Sequence, residues 1–432
     1  MTTATLDQPT TPTTPNPSGA HVLGLRCRAC GTPAELGPNY VCVACFGPLE
    51  VVYDPTVARR SLTRESIAAR APGIWRYLEL LPVAAAPSRG LAVGSTALVP
   101  AERLGPELGV ERLWLKDDTR NPTLSFKDRV VAVAAARAVE FGFDTLACAS
   151  TGNLAGATAA AAAALGLRAF VFVPADLEPA KVEHALGYGA TVVRVDGTYD
   201  EINRLSLEIA DEEGWAFVNV NLRPFYSEGS KTLAFEVAEQ LGWRLPDALV
   251  APIASGSLFT KVAKGFDELV EVGLVEPKPV RFVGGQPDGC APVATAFEGG
   301  GDTIEPVRRP ETIVRSLAIG SPADGAYAVA LARRTEGSIE AVPDEATSAA
   351  IRRTAATEGI FVETAGGVTV AAVEAARRRG VIRDGDEVVA LLTGNGVKTP
   401  DARAFGVESV RPAEAIPASY SAFAARYAGV AT

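Results

Sequence analysis

Apolar residues between positions 112 and 392 come in short runs of strand length, and longer amphipathic or alanine-rich segments separate these runs. Continuous apolar strands that alternate with helices are typical of parallel sheets covered by helices on both faces. We therefore expect an α/β protein with two open three-layer α/β domains and a site between them, at the carboxyl ends of the strands. The predicted strands cover residues 112–116, 145–150, 169–173, 191–195, 248–253, 280–284 and 387–392, and predicted helices cover 154–165, 178–186 and 201–212.

The N-terminal part of the chain has a different pattern. Residues 1–19 are rich in Thr and Pro and have neither the basic nor the apolar segment of a secretion signal, so we predict a disordered tail. Residues 55–81 have an amphipathic pattern that predicts a helical connector packed on the main body. The apolar positions of this connector are Ile67, Ile74, Trp75, Leu78 and Leu81.

Two Cys-x-x-Cys knuckles lie between these two regions. Cys27 and Cys30 form the first knuckle, and Cys42 and Cys45 form the second. Four thiolates close a tetrahedral shell, and two knuckles at this distance are the layout of a zinc ribbon. Because a four-cysteine shell leaves no open position, we predict a structural zinc site. A redox pair is the alternative for either knuckle alone, but it does not account for the duplication.

Composition and charge narrow the class of protein. The chain has 432 residues, 47% hydrophobic and 21% charged, which is typical of a globular α/β enzyme. A net charge of −10 argues against nucleic acid as the main partner, and no apolar run is long enough to span a membrane. Six cysteines without a recognisable secretion signal indicate the reducing cytoplasm. With only two histidines, His21 and His184, a Ser-His or Cys-His hydrolase is nearly excluded.

Lys127 is the first candidate for catalysis. It follows a turn at Pro122 and precedes an alanine-rich segment that predicts a helix, with Ser125 as its N-cap and Asp128 completing a shortened capping box. The positive end of a helix disfavours a second positive charge, and a neutral amine is what a lysine needs to form a Schiff base with an aldehyde. For this motif taken alone, a solvated surface lysine is the alternative.

Three predicted strand-to-helix junctions carry small or hydroxyl residues just before a helix start. These junctions are residues 150–154, 254–258 and 393–397. Free backbone N–H groups at a helix N-terminus bind anions, and glycine lets an anion come close. One such junction is common in α/β proteins. Three of them, together with a lysine in a first helical turn, predict a ligand with more than one anionic group that bridges two domains.

Together these motifs resemble those of the pyridoxal-phosphate enzymes of fold type II, and within them those of the threonine synthases. The resemblance covers roughly residues 23–400. It rests on the four-cysteine leader ending at 45–50 and on segments 121–129, 150–153, 255–261, 316–325, 358–363 and 393–399. It implies the paired α/β domains of the tryptophan synthase β fold, preceded by a small zinc-ribbon-like module.

The resemblance also implies a division of the chain. The large cofactor domain would comprise residues 56–130 and 226–410, and the small α/β domain residues 131–225. The zinc-ribbon-like module would cover residues 23–55. A disordered tail, 1–22, and a C-terminal helical tail, 411–432, complete the expected layout, and a homodimer is the assembly that the resemblance implies.

Site residues are carried over position by position as implications of the resemblance. Lys127 would hold pyridoxal phosphate as the internal aldimine, and Phe126 would lie beside the cofactor ring. Asn153 would hydrogen-bond the phenolic oxygen of the cofactor, with an ordinary helix cap as the alternative. Thr393 would face the pyridine nitrogen, and a neutral hydroxyl there favours elimination over transamination. The cofactor phosphate would be held by backbone N–H groups of Ala254, Ser255, Gly256, Ser257 and Leu258.

Ser150 and Thr151 are the expected donors to substrate anions. Lys116 and Arg315 are further candidates for that task, with surface ion pairs as the alternative for each. The implied reaction is a β,γ-replacement that converts O-phospho-L-homoserine and water to L-threonine and phosphate. The ε-amine of Lys127 would remove protons from Cα and then Cβ. Leu124 departs from the family pattern, since glycine is common at that position.

Other functions remain as alternatives. The nearest are other fold type II reactions, namely a threonine or serine ammonia-lyase and a β-replacement enzyme such as a cysteate synthase. The four-cysteine leader and segment 316–325 favour threonine synthase. A zinc-ribbon interaction protein with a degenerate enzyme body is a rival of another class, opposed by the intact Lys127, Asn153 and Thr393. A nicotinamide-dependent dehydrogenase is excluded because no Gly-x-Gly-x-x-Gly lies between a strand and a helix.

Overall fold

The computed structural model describes residues 19, 21–150, 152–175, 177, 182–197, 199–398 and 415–427. Most of the tail predicted at 1–22, parts of the tail predicted at 411–432, and Thr151 lie outside the described residues. The strands are β1 (Val22–Cys27), β2 (Pro33–Ala34), β3 (Leu49–Tyr53), β4 (Leu98–Pro100), β5 (Arg112–Asp117), β6 (Thr145–Ala149), β7 (Arg168–Pro174), β8 (Thr191–Val195), β9 (Ala216–Phe217), β10 (Ala248–Pro252), β11 (Arg281–Pro287), β12 (Ser338–Val342) and β13 (Glu387–Leu392).

Helices follow most of these strands. They are α1 (Pro55–Ser61), α2 (Arg64–Ala69), α3 (Leu104–Glu107), α4 (Lys127–Glu140), α5 (Asn153–Leu165), α6 (Glu183–Gly187), α7 (Tyr199–Glu212), α8 (Arg223–Glu228), α9 (Lys231–Gln240), α10 (Ser257–Glu271), α11 (Pro292–Glu298), α12 (Gly325–Arg334), α13 (Asp344–Glu358), α14 (Thr364–Arg378) and α15 (Tyr420–Tyr427). None of these helices, among the residues described, combines the length and the apolar character needed to cross a bilayer.

The larger sheet has the strand order β12-β11-β10-β13-β5-β4. Its first five strands are parallel, and apolar runs predict four of them, β12 being the exception. The edge strand β4 is different, because it pairs with β5 in the antiparallel direction. Strands β10 and β13 are neighbours, although more than a hundred residues separate them in sequence, so the junctions after them meet at one edge of the sheet.

The smaller sheet is fully parallel, with the order β8-β7-β6-β9. Alternate residues of its strands enter different apolar clusters: Leu146 and Cys148 pack in one cluster, and Ala147 and Ala149 in another. The larger sheet behaves in the same way, with Val388 and Val389 on opposite faces. Both sheets are thus buried on both faces, and the prediction of two open three-layer α/β domains is confirmed.

A third, small sheet carries the cysteines. Strand β1 lies in its centre and pairs antiparallel with both β2 and β3. Leu25 and Val51 are buried in an apolar cluster that they share with helices α4, α5 and α8 of the main body. The four-cysteine module is therefore packed on the enzyme body.

The connector at residues 55–81 differs from the continuous helix that its pattern suggests. It comprises α1, α2 and a 3-10 segment, Ile74–Leu80. Residues 70–73 separate α2 from the 3-10 segment, and Gly73 in this gap has φ of +128°. The predicted apolar side chains Ile67, Ile74 and Leu81 are nevertheless buried in the apolar cluster beside the larger sheet, so the amphipathic pattern correctly indicates which side is covered.

Candidate active site

Lys127 is the first residue of helix α4, as its pattern predicts, but the cap of this helix differs from the prediction. Phe126 is the N-cap residue, and its backbone is already helical. The carboxylate of Asp128 accepts hydrogen bonds from the backbone N–H and the hydroxyl of Thr123, each at 2.7 Å. The predicted capping box between Ser125 and Asp128 is therefore wrong, because the aspartate closes the preceding loop instead.

The lysine loop is joined to the segment that follows β13. The N–H of Phe126 donates to the carbonyl oxygen of Thr393 at 2.9 Å, and the N–H of Asn395 donates to the carbonyl oxygen of Leu124 at 3.0 Å. Leu124 has φ of +62°, a left-handed conformation that favours glycine. These bonds bring Phe126, Lys127 and Thr393 together, three residues that the sequence assigns to one site.

Tyr226 is a neighbour of Lys127 that sequence reasoning missed. Its hydroxyl accepts a hydrogen bond from Nζ of Lys127 at 2.9 Å. The ring of Phe126 lies below the same amine, with its centroid 4.8 Å from Nζ. Tyr226 is located on α8, about a hundred residues away in sequence, and no local motif marks it.

Asn153, the first residue of helix α5, does not act as a helix cap. The N-cap position belongs to Gly152. The side-chain nitrogen of Asn153 instead donates to both carboxylate oxygens of Glu363, at 3.0 Å each. Glu363 belongs to the recognised segment 358–363, but its role cannot be read from the sequence.

Glu363 is held tightly against the Thr393 segment. Its N–H donates to the carbonyl oxygen of Gly394 at 2.9 Å, and a β-carbon added to Gly394 would lie 2.2 Å from its Oε1. Burial raises the pKa of Glu363, opposed by the hydrogen bond from Asn153 and by the charges of Lys398 and Lys127. Burial also lowers the pKa of Lys398. A carboxylate and two amines thus lie beside the predicted cofactor residues.

The phosphate loop, defined here as Ala254–Leu258, follows β10. Gly256 is the N-cap of helix α10 in a left-handed conformation, with φ of +92° and no side-chain cap. A β-carbon on Gly256 would lie 2.8 Å from the carbonyl oxygen of Asp324, so only glycine fits there. The N–H of Asp324 in turn donates to the carbonyl oxygen of Ser255 at 2.8 Å.

Of the predicted substrate residues, Ser150 lies at the junction after β6, where its hydroxyl accepts a hydrogen bond from the N–H of Gly152 at 3.3 Å. Thr151 lies outside the described residues. Arg315 is exposed at the start of a short 3-10 turn, and no contact within the described part of the chain links its side chain to Lys127 or Asn153. Of these residues, only Ser150 is thus described at a junction of the predicted site, that between β6 and α5.

Lys116 is not brought to the site. Its side chain is fully buried, and its amine donates to Glu236, Gln240 and the carbonyl oxygen of Thr96, at 2.7–2.8 Å. All three donor positions of the ammonium group are therefore used inside the large domain. The structure contradicts the idea that Lys116 contacts a substrate anion and assigns it to a buried ion pair.

The four cysteines of the knuckles come together as predicted. Their sulfur atoms all lie within 4.8 Å of one another, with Cys27 and Cys45 at 3.5 Å and Cys30 and Cys42 at 3.8 Å. Thiolates bonded at about 2.3 Å to one tetrahedral ion lie roughly 3.8 Å apart. The donor set and its spacing therefore fit a four-coordinate zinc ion.

The site also fits pyridoxal phosphate. Helices α5 and α10 begin with glycine N-caps that make no side-chain cap, and helix N-termini of this kind bind anions. The first N–H group of α10, that of Ser257, makes a long hydrogen bond of 3.4 Å to the hydroxyl of Ser255. Gly256 and Gly394 keep the backbone free of side chains where the phosphate loop and the Thr393 segment pass their neighbours. The amine of Lys127 lies between the aromatic rings of Phe126 and Tyr226, in a setting suited to an imine-forming lysine.

Comparison with known structures gives the same fold. The threonine deaminase from T.th. superposes with a TM-score of 0.58 and 25% identity, covering 78% of this chain and 98% of that one. O-ureido-L-serine synthase superposes with a TM-score of 0.59 at 21% identity, covering 77% of this chain and 96% of that one. The second likeness, at so low an identity, is evidence for the fold alone.

Sequence comparison identifies the protein family more specifically than the structural comparison does. Residues 90–394 match the family described as pyridoxal-phosphate dependent enzymes. The threonine synthase of Methanocaldococcus jannaschii is 35% identical over 87% of this chain and 93% of its own length. The threonine synthase of Bacillus sp. (strain ULM1) is 38% identical over 76% of this chain and 90% of its own length. The chain therefore belongs to the threonine synthase family of pyridoxal-phosphate dependent enzymes.

Proposed function

We propose that this protein converts O-phospho-L-homoserine and water to L-threonine and inorganic phosphate, with pyridoxal phosphate as cofactor. The observation that carries the proposal is the arrangement around Lys127, whose amine lies next to Tyr226 and whose loop is bonded to Thr393. Threonine synthases with 35–38% identity along most of the chain support the choice of substrate.

Each predicted cofactor residue has a distinct task in this proposal. Lys127 would hold the cofactor aldehyde, Phe126 would lie beside the ring, and Asn153 would donate to the phenolic oxygen. Thr393 would face the pyridine nitrogen, and the N–H groups of the phosphate loop would hold the phosphate. When bound, pyridoxal phosphate supplies an electron sink for the charge that is left at Cα after proton removal.

Lys127 moves the protons. With substrate and cofactor bound, its Nζ would remove the Cα proton and then a Cβ proton, and the bond from Cγ to the phosphate oxygen would break. One proton would be added at Cγ and one returned to Cα. The hydroxyl of a water molecule would be added at Cβ, and the remaining proton of that water would go to the phosphate, so that the products are threonine and inorganic phosphate. The hydroxyl of Tyr226, 2.9 Å from Nζ, holds the lysine in position between these transfers.

Substrate anions need donors at the mouth of the site. Ser150 and Thr151 are proposed to bind the substrate carboxylate, together with the start of helix α5, where Gly152 makes no side-chain cap. Arg315 remains proposed as a donor to the substrate phosphate. Its side chain is exposed, so this role requires a closing movement that brings it nearer to Lys127.

Several other features of the protein are proposals of the same kind. The four cysteines bind a structural zinc ion, and the protein acts in the cytoplasm as a homodimer. Residues 56–130 with 226–410 form the large domain, and residues 131–225 form the small one. The spacing of the four sulfur atoms supports the zinc site, and the family resemblance supports the assembly.

A second candidate is elimination without replacement, as in a threonine or serine ammonia-lyase. The similarity to a threonine deaminase, with 25% identity over 78% of this chain, favours testing it. A β-replacement enzyme such as a cysteate synthase would share the same cofactor residues. Only the leaving group and the incoming nucleophile differ among these reactions, so product analysis separates them.

Inorganic phosphate and threonine should be measured after incubation of the purified protein with O-phospho-L-homoserine. We expect equal amounts of both products from the native protein and from Lys278→Ala, a variant of a lysine outside the site. In Lys127→Ala, turnover should fall by at least about 10²–10⁴-fold. Ammonia and a keto acid from threonine or serine, with no threonine formed from the phosphorylated substrate, would instead establish the ammonia-lyase.

A further inference from the structure

The four-cysteine module reaches the phosphate loop through one arginine. Arg28 directly follows Cys27 of the first knuckle. Its guanidinium donates to Oδ1 of Asp324 at 2.8 Å and lies 3.9 Å from the centre of the Tyr327 ring. Asp324 is 296 residues away in sequence, so the contact exists only because the module is folded against the enzyme body.

Asp324 supports the phosphate loop through backbone contacts. Its N–H donates to the carbonyl oxygen of Ser255, and its carbonyl oxygen leaves no room for a β-carbon on Gly256. The side chain is nearly fully buried, and its second oxygen accepts a hydrogen bond from Arg223 at 2.9 Å. Arg223 begins helix α8, which also carries Tyr226, the neighbour of Lys127.

A second contact joins the module to helix α10, which the phosphate loop begins. Glu50 of strand β3 accepts a hydrogen bond from the amine of Lys261 at 2.5 Å. Lys261 is buried one turn after Ser257 and also donates to Glu228 of helix α8 at 2.6 Å. The module thus contacts helix α10 through Glu50 and helix α8 through Tyr53, whose hydroxyl donates to Glu228 at 2.8 Å. It reaches the phosphate loop indirectly, through Asp324.

We propose that the four-cysteine module positions the phosphate loop through Arg28 and Asp324, so that metal binding by the cysteines and cofactor binding by the loop are energetically coupled. This inference rests on the proposed function, since it takes the loop as the phosphate site of pyridoxal phosphate. The residues involved are positioning residues, because they act on the cofactor through the backbone of Ser255 and Gly256.

The small size of the module is the physical reason to expect this coupling. A three-stranded sheet of this kind has little core of its own, and metal ligation supplies folding free energy to such modules. Without the ion, the turn that holds Arg28 is no longer fixed, and the buried carboxylate of Asp324 loses one of its two charged partners. Coupling between two binding sites is reciprocal, so cofactor binding must stabilise metal binding by the same factor.

The test compares pyridoxal phosphate binding, followed by visible absorbance, in zinc-loaded and zinc-free protein. In the native sequence we expect zinc removal by a chelator to weaken cofactor binding roughly 5- to 150-fold, with recovery when zinc is restored. Saturating cofactor should also slow the loss of zinc to the chelator. Equal cofactor affinity with and without zinc, or a protein that binds no zinc, would overturn the proposal.

The variant Arg28→Ala tests the route of the coupling. It should bind zinc normally and bind the cofactor more weakly, and zinc removal should then change its cofactor affinity little. Arg26→Ala is the matched control, because Arg26 is an exposed arginine two residues before Arg28, near the end of strand β1. Coupling that persists undiminished in Arg28→Ala would overturn the role assigned to Arg28.

Two further measurements keep the test decisive. If Arg28→Ala fails to fold, as judged by circular dichroism and thermal melting, Arg28→Lys and Asp324→Asn replace it, since both keep most of the packing. Each should reduce the coupling, and full coupling in both would contradict the proposal. Failure of the native, zinc-loaded protein to bind pyridoxal phosphate at all would instead refute the proposed function.

Discussion

The side-chain amide of Asn153 donates to both carboxylate oxygens of Glu363, and 210 residues of sequence separate the two. Asn153 is the residue proposed to contact the phenolic oxygen of the cofactor. Glu363 is therefore a positioning residue that fixes the direction of this amide. Its own backbone is bonded to Gly394, so the contact also ties helix α5 to the Thr393 segment that follows β13.

Replacing Glu363 should change the electronic state of the bound cofactor. In Glu363→Ala the Asn153 amide loses its acceptor and is free to rotate, so we expect the balance of the cofactor absorption bands and their pH dependence to shift. Glu363→Gln, which retains one acceptor oxygen, should restore the native spectrum in part. Glu345→Gln, an exposed glutamate at the start of α13, is the control. An unchanged spectrum in Glu363→Ala would show that Asn153 does not depend on Glu363.

The raised pKa of Glu363 has a consequence for stability. Because burial raises the pKa, the folded protein binds this proton more tightly than the unfolded chain does. The stabilising contribution is therefore complete below the ordinary glutamate pKa of about 4.5 and is lost as pH rises through the folded pKa. Glu363→Gln cannot ionise, so its free energy of unfolding relative to the native sequence should increase with pH over this window. Urea unfolding of the cofactor-free proteins at several pH values measures it, and a difference independent of pH would contradict the assignment.

Tyr226 should affect the proton transfers of Lys127 more than substrate binding. Tyr226→Phe removes the hydroxyl that Nζ contacts but retains the ring, and a hydrogen bond to a charged group contributes about 1.5–3 kcal/mol. We expect kcat to fall roughly ten- to a hundredfold, with a shifted pH profile and little change in KM. Tyr188→Phe, a half-exposed tyrosine of the small domain, is the control. A rise in KM alone would assign Tyr226 to substrate binding instead.

The negative charge of Glu236 stabilises a buried ion-pair network beside the larger sheet. Its carboxylate accepts hydrogen bonds from Lys116 and Arg129, all three side chains being buried. Glu236→Gln leaves two cations with too little negative charge, so we expect a loss of about 3 kcal/mol in the free energy of unfolding. Arg168→Ala, which breaks the exposed pair of Arg168 with Asp144, should cost less than about 1 kcal/mol. Similar losses in both variants would show that the buried network adds no particular stability.

The Glu236 carboxylate should also make the free energy of unfolding sensitive to acid. Burial alone would raise the pKa of Glu236, but the charges of Arg129 and Lys116 lower it to about 2. A lowered pKa means that the contribution is present above the ordinary glutamate value and is lost as pH falls from about 4.5 towards 2. Unfolding measured across this range should therefore show a steeper loss of stability for the native sequence than for Glu236→Gln.

Much of the architecture follows from local sequence. Apolar runs of strand length predict seven strands of the two large sheets, because a strand buried on both faces must be apolar throughout. Strands β9 and β12 are not predicted, since β9 has only two residues and β12 contains Ser338 and Glu340. The spacing of Cys27, Cys30, Cys42 and Cys45 predicts their cluster, since each knuckle is a local turn. The position of Lys127 at a helix start is likewise a local property of the Pro122 turn and the alanine-rich segment.

Other features depend on which elements pack together. Lys116 and Arg315 have the same charge and both carry a predicted role, yet one is buried beside Glu236 and the other is exposed. Sequence also cannot reveal that Asp128 bonds to Thr123 and not to its predicted cap partner, because both bonds suit an aspartate near a helix start.

Periodicity and spacings of a few residues were enough to predict the fold class, the cysteine cluster, the helix start at Lys127 and the glycine-bearing junctions. The cofactor role of Lys127 is implied by the family resemblance. The partners of these groups emerged from the folded chain alone: Tyr226 beside Lys127, Glu363 beside Asn153 and Asp324 beside Arg28. Periodicity records whether a side chain is buried. The identity of its neighbour depends on strand order and helix packing, which join residues hundreds of positions apart.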